Sequence, residues 1–237
     1  MKKGVLYLIP CPISEQTQPW DVLPEANRAV IDSLDYFIVE NTRTARRFLS
    51  KADVKHPIDA LEFRELNEHT VAGVAVEELV RPIAEGRSAG VISEAGVPGV
   101  ADPGALVVEA CHRRGIRVVP LVGPSSIILA MMASGLNGQS FAFNGYLPVK
   151  PPERAKAIRF FERRARSEGQ SQLFIEAPYR NVKLFEQLLQ TLAPDTRLSV
   201  AMDLTDPEEF IRTLSVAEWR REKTPDMNKR PAIFIIG

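Results

Sequence analysis

The chemistry-bearing residues of this chain gather in one stretch, Ser93-Glu94-Ala95-Gly96-Val97-Pro98-Gly99-Val100-Ala101-Asp102-Pro103-Gly104. Three glycines and two prolines fall within its last nine residues, a run that continues neither a strand nor a helix. The preceding Gly90 to Ile92 is apolar and reads as a buried strand. Pro103 stands where a helix can begin, with Asp102 before it as N-cap. A strand-to-helix link needs roughly two to six residues, and this one is longer and carries two acids. A loop of small residues there exposes backbone amides just past a strand end, where α/β proteins bind ligands. A second such place is Gly123-Pro124-Ser125-Ser126. Its two hydroxyls and free amides at a helix start suit a polar or anionic group, and equally suit plain capping.

Other chemistries are missing. The sequence has no GxGxxG and no GxxxxGK[ST], and no Ser-His-Asp grouping suggests itself. Cys11 and Cys111 form no CxxC, and His56, His69 and His112 lack metal-ligand spacing, so no metal is expected. Thirty basic residues balance thirty acidic ones over 237 positions, so no global field points to nucleic acid or membrane. No apolar run reaches membrane-spanning length. The start, MKKGVLYLIP, is too short in its apolar part for a signal peptide, and the expected location is the cytoplasm.

The elements that position the loops read in order. Gly4 to Ile9 is a strand ended by Pro10-Cys11-Pro12, and Ser14 to Asp21 is loop. Leu23-Pro24-Glu25 opens a helix through Leu34; Tyr36 to Val39 is a strand; a basic helix follows Glu40-Asn41-Thr42-Arg43 to Lys51. Val71, Val74, Ala75, Leu79 and Ile83 share one helical face. Leu106 to Arg114 is helical, Ile116 to Pro120 a strand, and Gly123 to Leu136 an apolar helix. Gly145-Tyr146-Leu147-Pro148 is read as loop. Lys150, Arg154, Lys156, Arg159, Arg163, Arg164 and Arg166 then lie on one helix against Glu153 and Glu162, either as a solvated face or as a nucleic-acid surface. Ser171 to Ala177 and Leu198 to Met202 are strands around a helix from Tyr179 to Leu192, with further strands at Phe210 to Leu214 and Ile233 to Ile236. Alternating strand and helix predicts a parallel sheet covered on both faces in the first half; the second half is more mixed.

The runs ISEAGVPGVADPG, PLVGPSS, SGL and FNGYLP, in this order and spacing, resemble the tetrapyrrole-methylase-like S-adenosylmethionine methyltransferases. The branch most similar is the small-subunit ribosomal RNA (cytidine-2'-O)-methyltransferases, whose E-D-T-R run is matched by Glu40-Asn41-Thr42-Arg43, with Asn67-Glu68 also in place. The resemblance covers nearly the whole chain, from GVLYLIPCPI to PAIFIIG. It departs from the branch at Glu94 for Asp, Val97 for Thr, Asn41 for Asp, Met202-Asp203-Leu204 for an Arg-Glu-Leu run, and Ala177-Pro178-Tyr179-Arg180 for a Ser/Thr-His-Arg type run.

The resemblance implies two α/β domains, 1–120 and 121–237, with the cofactor in the cleft between them and a homodimeric assembly. It implies S-adenosyl-L-methionine at Pro12, Glu94, Ala95, Gly96, Val97, Val100, Ser125, Ser126, Glu176, Ala177, Leu204 and Ala232. The acceptor it implies is a cytidine 2'-hydroxyl of small-subunit ribosomal RNA. A small tetrapyrrole-like or other metabolite is the alternative acceptor, and a non-catalytic S-adenosylmethionine-binding module the alternative class. A ribose hydroxyl must lose its proton as it attacks, and Glu40, Glu68, Asp102 and Asp203 are the candidate bases.

Overall fold

The computed structural model describes residues 2–66 and 74–237. The expectations placed on Asn67, Glu68 and Val71 lie outside the described residues. The chain divides into two compact units, Met1–Ser125 and Ser126–Gly237.

The first unit holds β1 (Val5–Ile9), α1 (Pro19–Val22), α2 (Ala26–Ile31), β2 (Tyr36–Val39), α3 (Thr42–Lys51), β3 (Glu62–Glu65), α4 (Val74–Ala84), β4 (Ala89–Ile92), α5 (Gly104–Arg113) and β5 (Arg117–Pro120). Its five strands lie in the order β3-β2-β4-β1-β5, every pair parallel. Parallel strands are covered on both sides, so their residues are apolar without interruption; β2 and β4 are buried at all four positions each. Side chains alternate between the two faces. Tyr36, Ile38 and Val91 pack with Leu79, Val80, Ile83 and Val107 from α4 and α5. Phe37, Val39 and Ile92 pack with Ile31, Ala45, Phe48 and Leu49 from α2 and α3.

The second unit holds α6 (Ser126–Ser134), β6 (Phe141–Tyr146), α7 (Pro151–Glu168), β7 (Ser171–Ile175), α8 (Asn181–Thr191), β8 (Arg197–Met202), β9 (Phe210–Ser215), α9 (Val216–Trp219) and β10 (Ala232–Ile236). Its sheet runs β6-β7-β10-β8-β9. Only β6 and β7 are parallel, and β10 lies antiparallel to both its neighbours. Leu173, Ala201, Ile233 and Ile235 face α6 through Ala130 and Met131. Phe174, Val200, Phe234 and Ile236 face Ile158, Phe185 and Trp219 on the other side. Trp219 donates its indole N–H to the Leu198 carbonyl at 2.8 Å, which satisfies the polar end of a buried ring.

Four readings of the sequence need correction. The helix expected from Leu23 to Leu34 is shorter, α2 alone over Ala26–Ile31, and α1 occupies part of the expected loop before it. Leu23 is extended at φ −101°, ψ 137°, because a residue before proline is driven out of the helical region. The stretch at Gly145-Tyr146 belongs to strand β6, with a register break between Phe143 and Tyr146. The helix at Tyr179 begins only at Asn181, after a single turn of 3₁₀ helix over Pro178–Arg180. Helix α5 starts at Gly104, so the cap and first-turn positions are each one residue later than Asp102 and Pro103 suggested.

Candidate active site

In a parallel sheet all carboxyl ends emerge on one edge, so the loops leaving β1, β2 and β4 meet there. The loop after β1 and the loop after β4 are tied by reciprocal backbone bonds. Cys11 N–H donates to Gly96 O at 2.8 Å, and Gly96 N–H returns to Cys11 O at 3.2 Å. Gly96 holds φ +69°, a conformation cheap only for glycine. Beside this tie lies a cavity of about 290 Å³ whose lining includes Pro12, Ser14, Thr44, Arg47, Glu94 and Ala95. Its cations are fixed by Glu15, whose carboxylate accepts from Arg47 at 2.9 Å and whose carbonyl accepts from Lys51 at 2.6 Å.

The loop itself is less open than its composition suggested. Besides Gly96, the Gly99 amide is taken, at 2.9 Å from both carboxylate oxygens of Asp102, and the Gly104 amide donates to the same group at 2.6 Å. Asp102 thereby holds the first amide of α5, from one residue before its cap, and pins the loop with the same side chain. Burial pushes its pKa up from the ordinary aspartate value, against the lowering pull of those bonds and of Ser93. Glu94, Ala95 and Val100 are exposed and Val97 is half-buried. Glu40, at the end of β2, shares with Ser93 and Asp102 the lining of a small cavity of about 10 Å³. Two of the candidate bases therefore face one space, at the lower limit for a single water.

In the second unit the register gathers another set. Tyr146 and Ile233 both lie opposite Ile175, and Ala232 lies opposite Met202. Glu176, Asp203 and Ala232 therefore share one sheet edge. Glu176 is buried, and its Oε1 accepts from Ala177 N–H at 2.7 Å and from Arg180 Nε and Nη2 at 2.9 and 2.6 Å. Its Oε2 makes no hydrogen bond, with the buried Arg154 at 3.9 Å. Asp203, at φ +48°, is paired with Arg230. Leu204 and Ala232 are core residues. Ser125 and Ser126 are half-buried on either side of the boundary between the two units, Ser126 opening α6. Reading the sequence missed Arg47, Arg154 and Arg180 as individual residues. Arg154 was visible only as one of seven basic positions on a helix, and arginines of that kind are usually surface.

A parallel α/β sheet with its site at the strand ends, in one chain with a mixed α/β sheet, defines the class as an α/β enzyme with a tetrapyrrole-methylase-like fold. The profile of the Tetrapyrrole (Corrin/Porphyrin) Methylases matches residues 20–219. Ribosomal RNA small subunit methyltransferase I of Vibrio cholerae serotype O1 is 31% identical over 232 residues, 98% of this chain and 76% of the relative. The protein of the same name from Escherichia coli O157:H7 is 30% identical over 234 residues, 99% of this chain and 77% of the relative. Among solved structures, the methyltransferase CobJ superposes with a TM-score of 0.65 at 19% identity, covering 99% of this chain and 94% of that one. The chain belongs to the tetrapyrrole methylase family and is an S-adenosyl-L-methionine-dependent methyltransferase.

The residues present fit that cofactor. Glu94 and Ala95, both exposed, line the cavity beside the β1–β4 tie, which leaves room for it there. In the second unit, taken by itself, Oε2 of Glu176 is a buried acceptor with no hydrogen-bond partner among the described residues. When bound, the cofactor supplies an electrophilic methyl group on a sulfonium, chemistry no side chain provides.

Proposed function

We propose that this enzyme methylates a cytidine 2'-hydroxyl in the RNA of the small ribosomal subunit, acting in the cytoplasm as a homodimer. The observation that carries the reading is near-full-length similarity, at 30–31% identity, to proteins named ribosomal RNA small subunit methyltransferase I. Helix α7 supports it. Of its six basic residues, Arg154 is buried against Glu176, Arg164 is held by Glu168 and Arg166 by Asp195, and Lys150 at its N-cap lies 3.7 Å from Glu153. Lys156, Arg159 and Arg163 are exposed, make no side-chain hydrogen bond or ion pair among the described residues, and recur at helical spacing on one face. Three free cations in a stripe suit a phosphate backbone. The exposed Ile128 and Met132, one turn apart on α6, support a face for a second copy.

On this reading the cofactor contacts are Pro12, Glu94, Ala95, Gly96, Val97, Val100, Ser125, Ser126, Glu176, Ala177, Leu204 and Ala232, with Leu204 and Ala232 contributing main chain because their side chains are core. Methyl transfer is an in-line displacement, so holding the hydroxyl and the methyl carbon in line supplies much of the rate. Asp102 and Asp203 are occupied in pinning loops and act as positioning residues. By the family resemblance Glu40 and Glu68 are the candidates to take the proton of the 2'-hydroxyl, and the pH profiles of Glu40→Gln and Glu68→Gln separate the two.

Tritiated-methyl transfer tests the reading. Undermethylated small subunits should take label on a ribose 2'-oxygen, and the purified protein should scatter light as a dimer. Label confined to a small-molecule extract would overturn the RNA assignment.

A further inference from the structure

The sheet edge that carries Glu176 also presents two large aromatic rings to solvent. Tyr146 is 62% exposed and Tyr179 67% exposed. Neither position is an accident of a loose end. Tyr146 closes β6 directly after the register break, and Gly145 before it takes φ +64°, with no other atom within 4 Å of where a Cβ would stand. A bulge of this kind turns the next side chain out of the sheet's alternation, and bulges concentrate beside active sites. Tyr179 stands in the 3₁₀ turn fixed by Pro178, with the Arg180 guanidinium 5.2 Å from its ring centroid and its hydroxyl accepting from Arg180 Nη1 at 3.3 Å.

Arg180 is anchored without being neutralised. Of its five N–H groups, two go to Glu176 Oε1 and one to the Tyr179 hydroxyl, which leaves two. Glu176 itself stands between two guanidiniums, Arg154 and Arg180, so the trio carries a net positive charge. The bond to Glu176 raises the Arg180 pKa, and the phenols of Tyr146 and Tyr179 lie near enough to add to that rise. An oriented cation with two spare donors, flanked by two solvent-exposed aromatic rings, matches what unpaired nucleotides need: a ring to stack on and a partner for phosphate.

We propose that Tyr146, Tyr179 and Arg180 form a platform for one unstacked nucleotide of single-stranded RNA, its base against a tyrosine ring and its phosphate on the guanidinium. This rests on the RNA reading of the enzyme and adds the form of RNA it takes. Duplex RNA cannot offer a base to such a platform, whereas loops and single strands can.

The test is fluorescence anisotropy of the full-length protein with a labelled single-stranded RNA of about twelve nucleotides, within the usual site size of such surfaces, and with the same sequence as duplex. Tyr146→Ala and Tyr179→Ala should each weaken single-strand binding roughly ten-fold, the size of one lost stack, and Tyr→Phe at each position should restore it. Arg180→Ala should also weaken it and flatten its salt dependence by about one unit of slope. Cofactor affinity and the melting midpoint of the tyrosine variants should stay at wild-type values. Unchanged single-strand binding in both alanine variants would overturn the platform, as would equal weakening toward duplex. Wild-type protein that binds the single strand through these residues, yet labels no ribosomal RNA, would keep the platform and sink the methylation target instead.

Discussion

Cys11 and Gly96 exchange two backbone hydrogen bonds, at 2.8 and 3.2 Å, and so clamp the loop leaving β1 to the loop leaving β4. The clamp requires Gly96 at φ +69°, while a Cβ there would meet nothing closer than the Pro124 carbonyl at 3.6 Å. A side chain at this position is therefore a matter of backbone strain rather than collision. Gly96→Leu is expected to cost about 1–2 kcal/mol of stability, the usual penalty for a left-handed non-glycine residue. It should abolish S-adenosylmethionine binding, because the loop leaves the conformation that opens Ala95 and Val97. Calorimetry of binding beside urea unfolding checks both halves; a variant that binds with wild-type heat would remove Gly96 from the site.

Asp102 ties the other end of that loop. Its pKa is raised by burial, so the folded state prefers the protonated carboxyl more than the unfolded chain does. The stability this lends is fully present below the ordinary aspartate value near pH ~4. It is lost as pH rises through the higher folded value. Asp102→Asn removes the titrating group while keeping one acceptor for the Gly99 or Gly104 amide. The stability of wild type relative to this variant should therefore fall as pH rises from about 3 through that window, and urea midpoints measured across it read the difference. As a positioning residue, Asp102→Asn should keep most methyl transfer. A loss of several orders of magnitude with an intact cofactor site would return Asp102 to the role of base.

The parallel sheet was legible in the sequence because fully buried strands are written as short unbroken apolar runs, Tyr36-Phe37-Ile38-Val39 and Ala89-Gly90-Val91-Ile92 among them. Strand β3 was not, since three of its four residues, Glu62, Arg64 and Glu65, are charged. Among the described residues it lies at the sheet edge, paired with β2, where charge protects an exposed ladder. Helix α9 also escaped notice: four residues long, it is set by the capping box between Ser215 and Glu218 rather than by periodicity. In the site, Gly/Pro composition located the loop after β4, but composition is blind to partners. It could not tell that Asp102 occupies the Gly99 and Gly104 amides, nor that Arg154 is buried while Arg159 is free.

Glu176 separates structural from binding roles most sharply. Its carboxylate is the shared counter-charge of Arg154 and Arg180, and both Glu176 and Arg154 are almost wholly buried. Removing one member of a buried ionic group leaves the other uncompensated, at about 3–5 kcal/mol. Glu176→Ala should destabilise the protein by that amount in chemical unfolding. Glu176→Gln, which keeps an acceptor for Arg180 and the Ala177 amide, should cost less. If Glu176→Gln melts like wild type but loses cofactor affinity, Glu176 is a contact in its own right; if both fall together, its role is to hold the arginines.

Helix α7 allows the RNA reading to be tested by charge without touching the fold. Arg154, Arg164 and Arg166 are engaged within the protein, so reversing them confuses stability with binding. Arg159 and Arg163 are exposed and without a side-chain partner among the described residues, four residues apart, with the half-exposed Phe160 beside them. Each phosphate contact contributes about one unit to the slope of log affinity against log salt. Arg159→Glu with Arg163→Glu should therefore flatten the salt dependence of RNA binding by about two units and lower RNA methylation at low salt. Cofactor affinity and the unfolding midpoint should not move. Arg164→Glu, compared at matched unfolding midpoint because it also breaks the Glu168 pair, should change the slope less than either exposed arginine. Equal effects from all three would mean that the helix acts through net charge alone, with no defined stripe.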